Sequence, residues 1–258
     1  MEPLWHGHNP LGRGLIVAFR PERAAAADDC ALTATRPRYM PRVPPAPKIQ
    51  VFHEHGQRLE LRDLGSHLEL MIGRVPLLTS KSLGTEEAFG QLASTIKSKA
   101  PRVLVGGLGF GRTAAGVLAS VGPDAELILV EKLETVIELV RGQLAYLSPG
   151  VLEDPRVKLV REDVTRVIAR ERGLDMILLD VDNGPNWASF RANDRLYGPL
   201  GLQKARLALR QGGAYVVWSG YEADGFLKHL RRAGFAASVV PLRERGKVRA
   251  RAYVGRTR

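Results

Sequence analysis

The sequence predicts an α/β fold: a doubly wound, largely parallel seven-stranded sheet preceded by a small β-hairpin unit. Three observations carry that expectation. From Pro101 to Trp218, short β-rich runs alternate with helical stretches to make five strands, the pattern of a parallel sheet covered on both faces. After them, residues 237–241 and 248–254, joined by Arg243-Glu-Arg-Gly-Lys247, read as an antiparallel pair closing the sheet edge. Ahead of them, Leu59-Glu-Leu-Arg and His67-Leu-Glu-Leu-Met-Ile72 alternate about the turn Asp63-Leu-Gly-Ser66 and read as a hairpin, to which residues 75–79 can add a third strand.

Residues 1–48 show no apolar period, hold an alanine run at 24–27 and end in a proline-rich stretch, so they are expected to be disordered or loosely attached. Met40 lies just ahead of the first patterned segment and allows a shorter start. Residues 49–100 form the small β unit plus a helix. Thr85-Glu-Glu-Ala has the look of that helix's start, a hydroxyl cap with acids in the first turn, and apolar residues continue through Ile96. Residues 101–258 form the main domain, with strands at 103–105, 127–130, 157–160, 176–179 and 214–218. Helices are expected near 112–120, 133–145, 164–170, 200–210 and 222–233.

Composition narrows the function classes. With 45% apolar and 25% charged residues the chain is an ordinary folded globular sequence. No apolar stretch approaches the roughly 20 residues that span a bilayer, and no charged-then-apolar leader opens the chain, so a cytoplasmic protein is expected. Cys30 stands alone, which excludes an internal disulfide and a thiolate zinc set; His53, His55 and His67 lack metal-ligand company, and no metal is expected. The net charge of +11 sits at the ends: residues 1–48 carry seven Lys/Arg against four Asp/Glu, residues 49–223 carry 21 of each, and residues 224–258 carry ten against two. A solvated basic surface explains this, or a weak attraction for nucleic acid. Neither a Gly-x-Ser-x-Gly elbow nor a Gly-Lys-Ser/Thr phosphate loop occurs, so hydrolase and triphosphatase chemistry has no support.

In such sheets a ligand lies outside the carboxyl ends of the strands. The first strand of the main domain ends in Gly106-Gly-Leu-Gly-Phe-Gly111, where Gly106, Gly107, Gly109 and Gly111 let the backbone turn tightly and approach a ligand. Gly109, Gly111 and Ala114 satisfy G-x-G-x-x-A, which leaves a nicotinamide site open. The second strand ends in Glu131, where a carboxylate can accept the ribose hydroxyls of NAD or of S-adenosylmethionine. The third runs into Asp163, placed to accept from an adenine amino group; this acid favours an adenosyl-sulfonium ligand, although a helix cap is the plainer role. The fourth ends in Asp180-Val-Asp-Asn-Gly-Pro-Asn-Trp187. Asp180 is the candidate base for deprotonating an amine nucleophile, with a turn-binding structural Asp as the alternative. Trp187 and Trp218 can wall a pocket, though an aromatic at a strand end more often belongs to the core.

The closing antiparallel pair resembles the seven-stranded, Rossmann-like sheet of class I S-adenosylmethionine-dependent methyltransferases. The hairpin, Thr85-Glu-Glu, the glycine loop, Glu131, Asp154-Pro-Arg-Val157, Asp163 and the acid after the fourth strand resemble the spermidine synthases and their bacterial relatives over about residues 51–220. The Asp-Val-Asp-Asn-Gly-Pro form is similar to the spermidine-synthase-like branch. The resemblance implies transfer of an aminopropyl group from decarboxylated S-adenosylmethionine to an amine, in polyamine biosynthesis, by a homodimer. It further implies Glu131 on the ribose, Asp163 on the adenine, Asp180 as base and Gln91 at the substrate entrance; Asp182, Asn183 and Trp187, just past the fourth strand, are expected about the acceptor from their position.

Three positions depart from the family. Phe110 stands where the glycine loop has an amine-binding Asp, Gly90 where a Tyr precedes Gln91, and Asn183 where a second acid falls, which Asp182 can replace only from a shifted position. Retained adenosine positions with lost diamine positions imply an S-adenosyl-ligand-dependent transferase whose acceptor differs from putrescine. A methyltransferase and a catalytically silent adenosyl-ligand-binding or interaction protein are the alternatives. On this reasoning Phe110→Asp and Gly90→Tyr are expected to improve any use of putrescine.

Overall fold

The short alternating strands sort into a sheet of their own. The computed structural model describes residues 47–181, 184, 185 and 193–258; the N-terminal expectation for residues 1–46, and the candidates Asp182, Asn183 and Trp187, lie outside them. Strands β1 (Lys48–Glu54), β2 (Gln57–Asp63), β3 (Leu68–Ile72) and β4 (Val75–Thr79) form an antiparallel meander in that order. The expected hairpin is β2–β3, and β4 is its third strand. The fourth, β1, goes unread in the sequence because its alternation is short, breaking at Phe52, and its apolar Ile49 and Val51 stay exposed. Pairing with β2 from Lys48↔Asp63 to Glu54↔Gln57 defines it, together with the turn His55-Gly56, whose φ values of 49° and 71° suit a two-residue hairpin.

The remaining strands make one mixed sheet: β5 (Arg102–Gly106), β6 (Glu126–Glu131), β7 (Val157–Arg161), β8 (Leu174–Leu179), β9 (Leu209–Ser219), β10 (Ala236–Glu244) and β11 (Lys247–Arg256), in the order β10-β11-β9-β8-β5-β6-β7. Strands β5 to β9 run parallel, β11 runs antiparallel to β9, and β10 antiparallel to β11. The closing pair is longer than the sequence suggested, and its turn contracts to Arg245-Gly246, both at positive φ.

Alternate residues of the central strands serve opposite faces. Val103, Val105, Leu127 and Leu129 join a core with Phe89, Val117 and Ile137 and with Leu59 and Leu70 of the small sheet. Leu104, Ile128, Ile177 and Leu179 join a second core with Val167, Leu202 and Phe226. The first face is therefore covered by α1 (Gly84–Gly90), α2 (Arg112–Leu118) and α3 (Glu134–Arg141). The second is covered by α4 (Val164–Arg170), α5 (Asp194–Tyr197), α6 (Pro199–Ala208) and α7 (Asp224–Arg232). Two local expectations need correction. Thr85 is buried inside α1 rather than capping it, with Leu83 at the cap position. The chain leaves α1 at Gly90 for the 3-10 turn Gln91–Thr95 instead of running as helix to Ile96. Among the described residues no helix is long and apolar enough to cross a membrane.

Candidate functional site

Strands β7, β6, β5 and β8 lie side by side in parallel, so their carboxyl ends open on the same edge. The glycine loop is drawn against its neighbours there. Gly107 N–H donates to the Val130 carbonyl at 2.8 Å, and Asp180 N–H donates to that of Gly106 at 2.9 Å. Gly107, at φ 94°, lies so near the β8 end that an added Cβ would stand 2.3 Å from the Asp180 carbonyl oxygen, a contact no side chain can make. The edge holds a cavity of about 350 Å3, within the usual range for a small-molecule site. Gly107, Gly109, Glu131, Asp163 and Asp180 line it together, so five of the candidate cofactor-binding and catalytic residues converge. Gly106 and Gly111 shape the loop without lining the cavity, Gly111 as the left-handed residue at the start of α2.

Glu131 is clasped by backbone. Its carboxylate accepts from the N–H groups of Leu108 at 3.0 Å, Lys132 at 2.8 Å and Leu133 at 2.9 Å. Burial raises its pKa above the ordinary value, and these three bonds oppose the rise. An ionised carboxyl has about four acceptor positions, so capacity for a further donor remains. Asp163 fills the capping role left open in the sequence: one oxygen accepts from Thr165 N–H at 2.8 Å and Thr165 Oγ1 at 2.6 Å, at the start of α4. It lines the cavity as well.

At the other end of the cavity, burial pushes the Asp180 carboxyl up to about 6, and a 2.6 Å bond from Thr113 Oγ1 partly opposes the shift. Glu86, from the first turn of α1, lines the same cavity. Burial, and then the charge of Asp180, hold it well above the usual carboxylate range, and Arg112 pulls the other way. Arg112 itself pairs with Glu87 and donates to the Leu147 carbonyl. Sequence reasoning missed Glu86 and Thr113 as site residues. The Thr85-Glu-Glu motif drew attention to the segment but could not show which acid faces β8.

Other candidates fall elsewhere. Gln91 is exposed and does not line the cavity. Trp218 does line it, with its indole N–H buried and without an acceptor among the described residues, so the tryptophan of the fifth parallel strand joins the site. Phe110 is 1% exposed and packs into the first core, while Gly109 is the loop residue beside the cavity. At Gly90 an added Cβ would stand 2.1 Å from the Thr113 carbonyl oxygen of α2. The expectation that Phe110→Asp and Gly90→Tyr would restore a diamine site is therefore corrected: the first would bury a charge among apolar side chains, and the second would force two helices apart. Among the described residues no group of His, Cys, Asp and Glu could hold a metal ion.

No protein-family model matches the chain. A polyamine aminopropyltransferase of Korarchaeum cryptofilum (strain OPF8) is 31% identical over 156 residues, 59% of this chain and 44% of that relative, so the match spans less than half of the relative's length. Among solved structures, a spermidine synthase in complex with the transition-state analogue AdoDATO matches with a TM-score of 0.62 and 18% identity, over 81% of this chain and 72% of its own. The spermidine synthase of Thermotoga maritima matches with a TM-score of 0.62 and 19% identity over the same shares. A probable spermidine synthase of Corynebacterium glutamicum ATCC 13032 gives 0.55 and 17%, over 81% and 80%. The chain is spermidine-synthase-like in fold and similar in sequence to an aminopropyltransferase, as its motifs implied.

Proposed function

We propose that this protein is a spermidine-synthase-like transferase that binds S-adenosylmethionine or its decarboxylated form and, from the decarboxylated form, moves an aminopropyl group to an amine acceptor other than putrescine. The observation that carries this reading is the convergence, in one cavity, of Glu131 and Asp163 at successive strand ends with the raised carboxyl of Asp180. The named aminopropyltransferase relative supports it. The residues fit an adenosyl ligand: Glu131 retains acceptor capacity for a ribose hydroxyl, Asp163 stands one strand further along, and Val130, Leu133 and Val164 supply apolar walls.

The acceptor arrives as an ammonium and must lose a proton before its nitrogen can attack. Asp180, ionised above about pH 6, takes that proton. The nitrogen lone pair then forms a bond to the carbon beside the sulfonium, and the carbon–sulfur pair returns to sulfur, releasing a neutral thioether. Glu86 adds a second acid beside the incoming cation. Phe110 is buried in the core and Gly90 lies at the crossing of α1 and α2, so neither position offers a polar group to a short diamine. The reading also places the protein in the cytoplasm as a homodimer, with a basic C-terminal segment that attracts nucleic acid weakly and in a salt-dependent way.

Calorimetric titration with S-adenosylmethionine, decarboxylated S-adenosylmethionine, methylthioadenosine and NAD tests the reading, followed by transfer assays on a panel of amines. Preference for the adenosyl-sulfur compounds with aminopropyl transfer is expected. Preference for NAD overturns the cofactor assignment, methyl transfer makes the protein a methyltransferase, and binding without transfer makes it a binding protein.

A further inference from the structure

Thr113 has one hydroxyl proton and two acceptors within reach. Its Oγ1 lies 2.6 Å from Asp180 Oδ2 and 3.2 Å from the backbone oxygen of Glu86, and the residue is 1% exposed. One proton cannot serve both acceptors at once. With Asp180 ionised, the hydroxyl donates to the carboxylate, the shorter and charge-assisted bond. With Asp180 protonated, the carboxyl donates to Thr113 Oγ1, and the hydroxyl turns its own proton to the Glu86 carbonyl. Both protonation states then keep their buried polar atoms paired.

We propose that Thr113 is a positioning residue for the base, a hydroxyl that reverses its donor direction as Asp180 takes up the amine proton and gives it back. The inference rests on Asp180 being the proton acceptor in the proposed transfer. Other charged groups share the cavity with Asp180, Lys132 and Glu162 among them. Glu86 on α1 adds negative charge, Arg112 on α2 offsets part of it while pairing with Glu87, and Glu131 and Asp163 stand in the same cavity at the ends of β6 and β7. Any titration must therefore be read at Asp180 itself.

Carbon-13 NMR of labelled aspartate carboxyls, with Asp180→Asn identifying the resonance, gives that readout in the whole chain without turnover. In Thr113→Val the ionised carboxyl loses its donor, so the Asp180 midpoint should rise by about one pH unit, whereas Thr113→Ser, which keeps the hydroxyl, should match wild type. Should the valine variant not fold, Thr113→Ala makes the same measurement. In amine transfer the acid limb of kcat should move upward with the midpoint, kcat should fall about tenfold, and KM for the adenosyl donor should hold. A merely structural threonine would lower kcat without moving the midpoint or the limb. An unmoved midpoint without the hydroxyl, or a serine variant that behaves like valine, overturns the proposal and leaves the functional reading in place. A moved midpoint in a protein that transfers nothing to any amine sinks the functional reading while the coupling of Thr113 to Asp180 stands.

Discussion

A carboxyl held near pKa 6 favours proton transfer and works against folding. Asp180 ionises near 3.9 in an unfolded chain and near 6 in the folded one, so the folded state binds the proton more tightly over that interval. Stability associated with the group is whole below about pH 4 and is lost as pH rises through about 6. Asp180→Asn keeps the shape and can still accept from Thr113. It should be more stable than wild type at pH 7, by roughly 1–3 kcal/mol, and converge with wild type near pH 4. Turnover should fall by about 10²-fold or more with little change in adenosyl-ligand affinity. Calorimetric melts at the two pH values and one rate assay check this; a variant less stable at pH 7 would show that the carboxylate is a structural turn-binder. Asp180 is legible in the sequence because a buried apolar run must end somewhere, and in a parallel sheet that end faces the ligand edge. Glu86 is not. Glu86 and Glu87 are neighbours about 100° apart on one helix, and only the packing of α1 against α2 turns one toward Asp180 and the other toward Arg112.

Between elements, two contacts bind the chain in ways local pattern does not encode. Glu54, at the end of β1, accepts from the N–H groups of Glu134 at 2.8 Å and Thr135 at 3.0 Å and from Thr135 Oγ1 at 2.8 Å, so it caps α3 from 81 residues away. Burial opposes its charge, but the bonds to Thr135 and Glu134 prevail and its pKa lies below the ordinary value. The stabilisation is present above about pH 4.5 and is lost as pH falls through the lowered pKa. Glu54→Ala should cost about 1–2 kcal/mol at pH 7, a fall of some 2–8 °C in Tm, with the gap to wild type narrowing in acid melts below pH 4. A cap supplied by a distant strand leaves no trace beside the helix it serves, which is why the start of α3 looks uncapped in sequence. The second contact is the crossing of α1 and α2. A Cβ on Gly116 would stand 2.2 Å from the Glu87 carbonyl oxygen, and one on Gly90 would stand 2.1 Å from that of Thr113. Gly90→Tyr should therefore lower stability by at least the 1–3 kcal/mol typical of overpacking, and soluble yield with it; a denaturant midpoint equal to wild type would refute the close crossing. In sequence, Gly90 reads as a lost tyrosine. In the fold, it is the residue that lets the helix bearing Glu86 approach the helix bearing Thr113.

At the scale of the molecule, alternation of β-rich and helical runs suffices to name five parallel strands and a closing pair, because burial on both faces demands continuous apolar runs and the edge demands a hairpin. The strand order, with β5 between β6 and β8, is set by tertiary pairing and decides which acids meet. Glu131, Asp163 and Asp180 could be nominated one by one from strand ends, while their company with Glu86, Thr113 and Trp218 depends on that order. The same accounting predicts what the first 46 residues contribute. Every described core side chain lies at Phe52 or beyond, and the cavity lining begins at Pro76. The N-terminal stretch has no apolar period to add to either core, and ordering it would cost about 1–2 kcal/mol per residue. A chain beginning at Pro47 should thus unfold within about 2 °C of the full-length protein and bind adenosyl ligands with the same affinity. Paired thermal melts and titrations decide the matter: a loss of many degrees would mean that residues 1–46 bury apolar surface against the fold, and a loss of affinity at unchanged Tm would mean that they complete the ligand site.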